Sequence, residues 1–222
     1  MCNSCHFNVS IDSCGHHLVT GCKGGGHRQQ THDAIKYELN NILKYCGLRT
    51  TLEETNLFPN PHLRPDISVH RIFSPTYKKL LIDVSVTSPI NGTERGILHV
   101  PNTPNDPVPY RLAEGRVKSK LAKYGNVPAG YEVLPFVLET SGGFHPLAVK
   151  FLKKLAIFAE ETRGISRSTL YSYFVKRLSC TLMDKISESI RRRVNRLNVR
   201  SNIDIYDPSF HDEFIEEFDR RE

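Results

Sequence analysis

The run Leu80-Leu81-Ile82-Asp83-Val84-Ser85-Val86 constrains the fold of this chain more than any other stretch. Its branched and apolar side chains read as a strand, and a period of two sends Leu80, Ile82, Val84 and Val86 to one face. Asp83 and Ser85 point together to the other. A carboxylate in mid-strand needs a reason, and the neighbouring elements supply candidates.

Upstream, Ile35, Leu39, Ile42, Leu43 and Cys46 recur at helical spacing, with Thr31 as an N-cap and Gly47 as a stop. Pro59, Pro61 and Pro65 punctuate a loop, and Ile67-Ser68-Val69 forms a second strand-like run, so that 67–69 and 80–86 read as a hairpin. A turn at Ser74-Pro75-Thr76-Tyr77 pairs Phe73 with Lys78 and places Asp66 opposite Ser85, on the face that carries Asp83. Diagonal neighbours are about 7–8 Å apart at Cα, so both carboxylates can grip one cation. Residues 89–110 read as a mobile loop, Tyr110 to Tyr124 as a basic helix and Val133 to Glu139 as a third strand. Ser141-Gly142-Gly143 breaks that strand, and Leu147, Phe151, Leu152, Leu155 and Phe158 restore a helical period. No Walker lysine follows the glycines, which therefore read as a turn, and His145 reads as structural. The order αββαβα implies an α/β sandwich.

A formal net charge of +6 and a pI near 9.0 favour a polyanionic partner such as DNA or RNA. The start of the chain has no cationic segment followed by an apolar run, and no apolar stretch approaches a bilayer-spanning length, so a soluble, intracellular protein with no membrane partner is expected. Beyond about Gly164, further helices carry Arg191, Arg192, Arg193 and Arg196, candidates for phosphate contact together with Arg64. The last twenty residues are acidic.

Four of six cysteines fall within the first 22 residues, beside histidines, where metal binding is a better reading than disulfides. Cys2-x2-Cys5 and His17-x4-Cys22 supply two ligand pairs for tetrahedral Zn²⁺. His16 can replace His17, and Cys14 or His27 can enter the shell; a reduced, unliganded tail is the alternative. Cys46 and Cys180 read as buried apolar thiols. A first ligand so close to the start is what is expected of a chain cut from, or descended from, a longer polyprotein.

Arg64-Pro65-Asp66, Ile82-Asp83-Val84-Ser85-Val86 and Lys118-Ser119-Lys120-Leu121-Ala122-Lys123-Tyr124-Gly125 resemble the restriction-like endonuclease domain of non-LTR retrotransposons. The stretch from Gly15 to Gly26 with Thr31-His32-Asp33 resembles the Cys/His segment that precedes that domain, and Leu138 to Pro146 is similar to its post-core segment. The resemblance covers roughly residues 2–160. It implies a PD-(D/E)XK restriction-endonuclease-like core, an αβββαβ-type mixed sheet flanked by helices, over 28–160. A zinc-binding segment would occupy 1–27 and a C-terminal helical extension 161–222. It also implies a reverse transcriptase module of the same element, or RNA, as partner, and a nuclear location in a eukaryotic host.

In that family resemblance Asp66 and Asp83 are metal ligands and Glu38 is the helix acid. The chain departs from the pattern after Asp83, where the expected strand lysine is replaced by Ser85. A lysine on the following helix takes over in the retrotransposon branch, and Lys120 matches that position, with Lys118 and Lys123 as competitors. A basic solvated helix face is the plainer reading of the three lysines, and a solvated surface acid that of Glu38. The chemistry needs Mg²⁺ or Mn²⁺ to polarise the phosphate and activate water, with a lysine to hold that water or offset charge. Target-site nicking of DNA is the expected activity. A resolvase acting on branched DNA shares the same residues, and a decayed nuclease that only binds nucleic acid accounts for the missing strand lysine.

Overall fold

The computed structural model describes residues 27–60, 62–70, 79–89, 91–92, 98–99, 110–125, 127 and 129–201. Cys2, Cys5, Cys14, His16, His17 and Cys22 lie outside them, as do the Ser74–Tyr77 turn and the acidic tail. The described chain is an α/β protein with a mixed four-stranded sheet, order β1 (Thr50–Leu52), β2 (Ile67–His70), β3 (Lys79–Thr87), β6 (Tyr131–Glu139). Neighbours are antiparallel except β3 and β6, which run parallel and are joined through α2 (Arg111–Tyr124). A two-residue pair, β4 (Asn91–Gly92) with β5 (Leu98–His99), stands in the segment expected to be loop.

α1 (His27–Tyr45), α3 (Pro146–Arg163) and the first half of α4 (Arg167–Ser201) cover one face of the sheet. Ile35 and Leu39 of α1, Ile82 and Val84 of β3, Phe136 of β6, Leu152 of α3 and Phe174 of α4 form a single apolar core, each at most 1% exposed. The other face is covered by α2, through Val117 and Ala113 against Val137, and through Tyr124 against Leu81 and Phe58. Asp83 points to that second face, because β3 alternates and Ile82 and Val84 already face α1.

Several expectations need correction. α1 starts at His27, and Thr31 lies inside it, its hydroxyl donating to the His27 carbonyl at 3.0 Å instead of capping. Gln29 and Gln30 carry no apolar period, so the helical residues before Thr31 are invisible to periodicity. Gly47 does end the helix, with φ +82° and the Leu48 N–H donating back to the Leu43 carbonyl. The hairpin register pairs Ile67 with Ile82 and His70 with Lys79, two residues away from the expected one. β1 was hidden because it is a short, polar, half-exposed edge.

Cys46 is buried as expected, but Cys180 is exposed. Phe174, Leu178 and Leu182 repeat every four residues on the inward side of α4, and Cys180 lies about 200° around from Leu178. Burial pushes the Cys46 thiol up to about 12, so it stays protonated at neutral pH. In native protein treated with a maleimide and mapped by mass spectrometry, Cys180 is expected to label and Cys46 to label only after denaturation. Equal labelling of both in the native state would mean that α1 does not seal the core.

Candidate active site

Continuing the β2–β3 register one residue past the Ile67–Ile82 pair brings Asp66 opposite Asp83. A register shift of two leaves every side chain on its own face, so the expected carboxylate pair survives the error. Asp66 accepts a hydrogen bond from the Val84 N–H at 2.7 Å, which ties the residue before β2 to the strand that carries its partner. Asp83 is nearly closed to solvent, its side chain 2% exposed.

α2 supplies the cations. Lys120 Nζ lies 2.5 Å from one oxygen of Asp83, and Lys123 Nζ lies 3.4 Å from the other. Residues three apart share a helix face, whereas Lys118 is about 200° from Lys120. Accordingly the Lys118 side chain is 76% exposed and faces Glu114 at 4.0 Å. Tyr124, one turn on from Lys120, is buried against Phe58, and its hydroxyl donates to the Arg64 carbonyl at 3.0 Å. Burial, reinforced by the negative charges of Asp83 and Asp66, holds its phenol well above the usual range, so it remains a neutral donor. Arg64 is thus anchored through its backbone, with its side chain exposed.

Glu38 does not join this cluster. It sits on α1, which packs against the opposite face of the sheet, and its carboxylate is held by Arg177 of α4, with Nε 2.7 Å and Nη2 3.0 Å away. This buried acid is balanced by a guanidinium from 139 residues downstream, a partner no local pattern could reveal.

α1 contributes His32 instead. Its Nε2 lies 3.2 Å from Asp66 Oδ2 and its Nδ1 3.1 Å from Asp33 Oδ1. Asp33 in turn meets the buried Lys36 at 3.0 Å, and Lys36 meets Glu53 at 2.6 Å. A row of alternating charges therefore runs from Asp66 across α1 to the start of the β1–β2 connection. His32 sits three residues before Ile35, beside the apolar stripe, a position from which a polar side chain can reach the sheet edge; that spacing was the available signal.

Compared with known protein families and with curated proteins, the chain gives no match. The chemistry therefore rests on its own residues. Among the described residues no cluster of three or more His, Cys, Asp or Glu side chains is disposed to hold a metal ion. A carboxylate pair such as Asp66 and Asp83 is the kind of oxygen donor set that a hard cation accepts while it keeps several waters.

The remaining predicted residues fall elsewhere. Arg191 and Arg192 are exposed on the second half of α4, where Arg192 pairs with Glu188, and the side chains of Arg193 and Arg196 lie outside the described set. His145 is structural: it caps α3 by accepting from the Leu147 N–H at 3.2 Å, and its Nε2 meets Glu114 of α2 at 2.9 Å. No helix of the described residues is long and apolar enough to cross a membrane.

The His32–Asp66 pair sets a pH dependence. The hydrogen bond to Asp66 holds the imidazole above its ordinary 6.5, against burial. Burial opposes ionisation of Asp66, but His32, the Val84 N–H and Lys120 outweigh it and keep the carboxyl below its ordinary range. A raised histidine stabilises fully below its unfolded pKa and loses that contribution as pH rises through the folded one; a lowered carboxyl contributes above its unfolded pKa and loses it as pH falls through its folded value. The stability advantage of the unmodified protein over His32→Asn is expected to be larger at about pH 5.5 than at about pH 9, measured by urea unfolding. An advantage independent of pH would dissolve the pair.

Proposed function

We propose that this chain is a metal-dependent DNA endonuclease of the PD-(D/E)XK type, resembling the target-site nucleases of non-LTR retrotransposons. The observation that carries the reading is the convergence of Asp66, just before β2, Asp83 of β3 and Lys120 of α2, three residues from separate parts of the chain. The element order of the main sheet, αβββαβ followed by two helices, supports it. A bound Mg²⁺ or Mn²⁺ would polarise the scissile phosphate and lower the pKa of an attacking water. Asp66 and Asp83 would hold it, and Val84 and His32 fix the orientation of Asp66. Lys120 offsets charge on the pentavalent phosphorus, and Lys123 supplies a second cation on the same helix face. Arg64 and the α4 arginines are phosphate-contact candidates. The zinc-binding segment belongs to the same proposal, with Cys2, Cys5, His17 and Cys22 as ligands.

One observation favours the binding-module alternative. Two lysines already balance Asp83, so the cost of burying that carboxylate does not by itself demand a metal. Supercoiled plasmid incubated with the protein and Mg²⁺ or Mn²⁺ separates the readings. Nicked or linear product supports the nuclease, and its absence with both ions, while DNA is still bound, leaves the binding module.

A further inference from the structure

On the helical layer, away from Asp83, α1, α3 and α4 bring together a ladder of rings and guanidinium groups. Arg163, the last residue of α3, lies over the ring of Tyr45 at 4.8 Å; Tyr45 meets Tyr173 of α4 with centroids 5.8 Å apart; Arg177 lies over Tyr173 at 5.7 Å and donates to its hydroxyl at 2.9 Å. Tyr45 and Tyr173 nevertheless stay 36% and 39% exposed. Beside them opens a shallow groove lined by Ser168, Thr169, Ser172, Tyr173 and Lys176.

Charge decides what suits this surface. Glu38 neutralises Arg177 and fixes its plane, and Glu160 of α3 accepts from the Arg167 N–H at 3.0 Å. Arg163 and Lys176 make no ion pair with an acid among the described residues, which leaves a positive rim around two accessible rings. Hydroxyls and a lysine can take phosphate oxygens, and tyrosine faces take bases of any identity, but only bases that are not already stacked in a duplex.

We infer that the Tyr45–Tyr173 surface binds single-stranded nucleic acid, separately from the duplex engaged at Asp66 and Asp83. The sheet and the helical layer lie between the two sites, so the bound strand is a second one or a displaced one. This inference does not depend on cleavage.

The test measures anisotropy of labelled oligo(dT) and oligo(rU) with the full chain and no added divalent cation. Tyr173→Ala and Lys176→Glu are each expected to weaken single-strand binding by about tenfold or more, with Tyr173→Phe near the unmodified value and duplex binding unchanged. Unaltered affinity in Tyr173→Ala overturns the inference, as does an equal loss for duplex. Should Tyr173→Ala fail to fold, bromodeoxyuridine cross-linking to the unmodified protein replaces it. Adducts on Tyr45 or Tyr173 support the surface, and adducts only elsewhere, or none, overturn it.

Discussion

Asp83→Ala and Asp66→Ala are each expected, on the proposed nuclease reading, to abolish plasmid cleavage while DNA binding persists, because each removes a proposed ligand of the activating cation and also lessens repulsion of phosphates. Lys120 carries the sharper comparison. Its ammonium is 2.5 Å from Asp83, whereas Lys118 is solvated on the other side of α2. Lys120→Ala is expected to lose about a hundredfold to a thousandfold in rate, as one well-placed charge contributes a few kcal/mol to a transition state, and Lys118→Ala to lose little. Asp83 is buried, so its variant is checked by circular dichroism first, and Asp83→Asn serves if alanine unfolds it. Equal, mild losses at both lysines would reduce α2 to a phosphate-binding face. Full activity in a folded Asp83 variant would sink the nuclease reading.

A comparably large effect is expected in the core. Phe174→Ala removes a side chain that is wholly buried between α4 and the helices beneath it. A Phe→Ala change at such a site costs about 3–5 kcal/mol, a large share of the roughly 5–15 kcal/mol that holds a domain together. Arg192→Ala, at an exposed position further along the same helix, should stay within about 0.5 kcal/mol. The check is the urea midpoint of both variants. A small shift for Phe174→Ala would mean that α4 is an appendage rather than part of the core.

The contrast between Phe174 and Arg192 on α4 also marks what the sequence could disclose. The helix's inward residues repeat at helical spacing, and Cys180 is exposed because its phase on that helix, not its residue type, sets its burial. Asp66 and Asp83 were legible as a same-face pair because strand alternation tolerates a slip of two, although the partner of each was misassigned. Lys120 and Lys123 against Lys118 is a matter of angle around a helix, which the numbering alone contains. Glu38 was not legible, since its position beside the apolar stripe fits either side of the sheet and Arg177 decides it from far along the chain. His32 and Tyr124 were missed because their roles depend on neighbours brought in by β2 and β3.

The parallel pairing of β3 with β6 carries a kinetic consequence. Ser68 and Leu81 are paired across 13 positions of chain, Leu81 and Val133 across 52. Each doubling of a flexible loop adds about 0.6 kcal/mol of closure entropy, so the fourfold longer span costs about 1.2 kcal/mol more. The hairpin that sets Asp66 against Asp83 therefore closes at a lower entropic cost than the crossover that carries α2 and its lysines. If the hairpin closes first, two acids face each other before the lysines of α2 arrive, and the refolding rate is then expected to rise with ionic strength, which stopped-flow refolding at two salt concentrations checks.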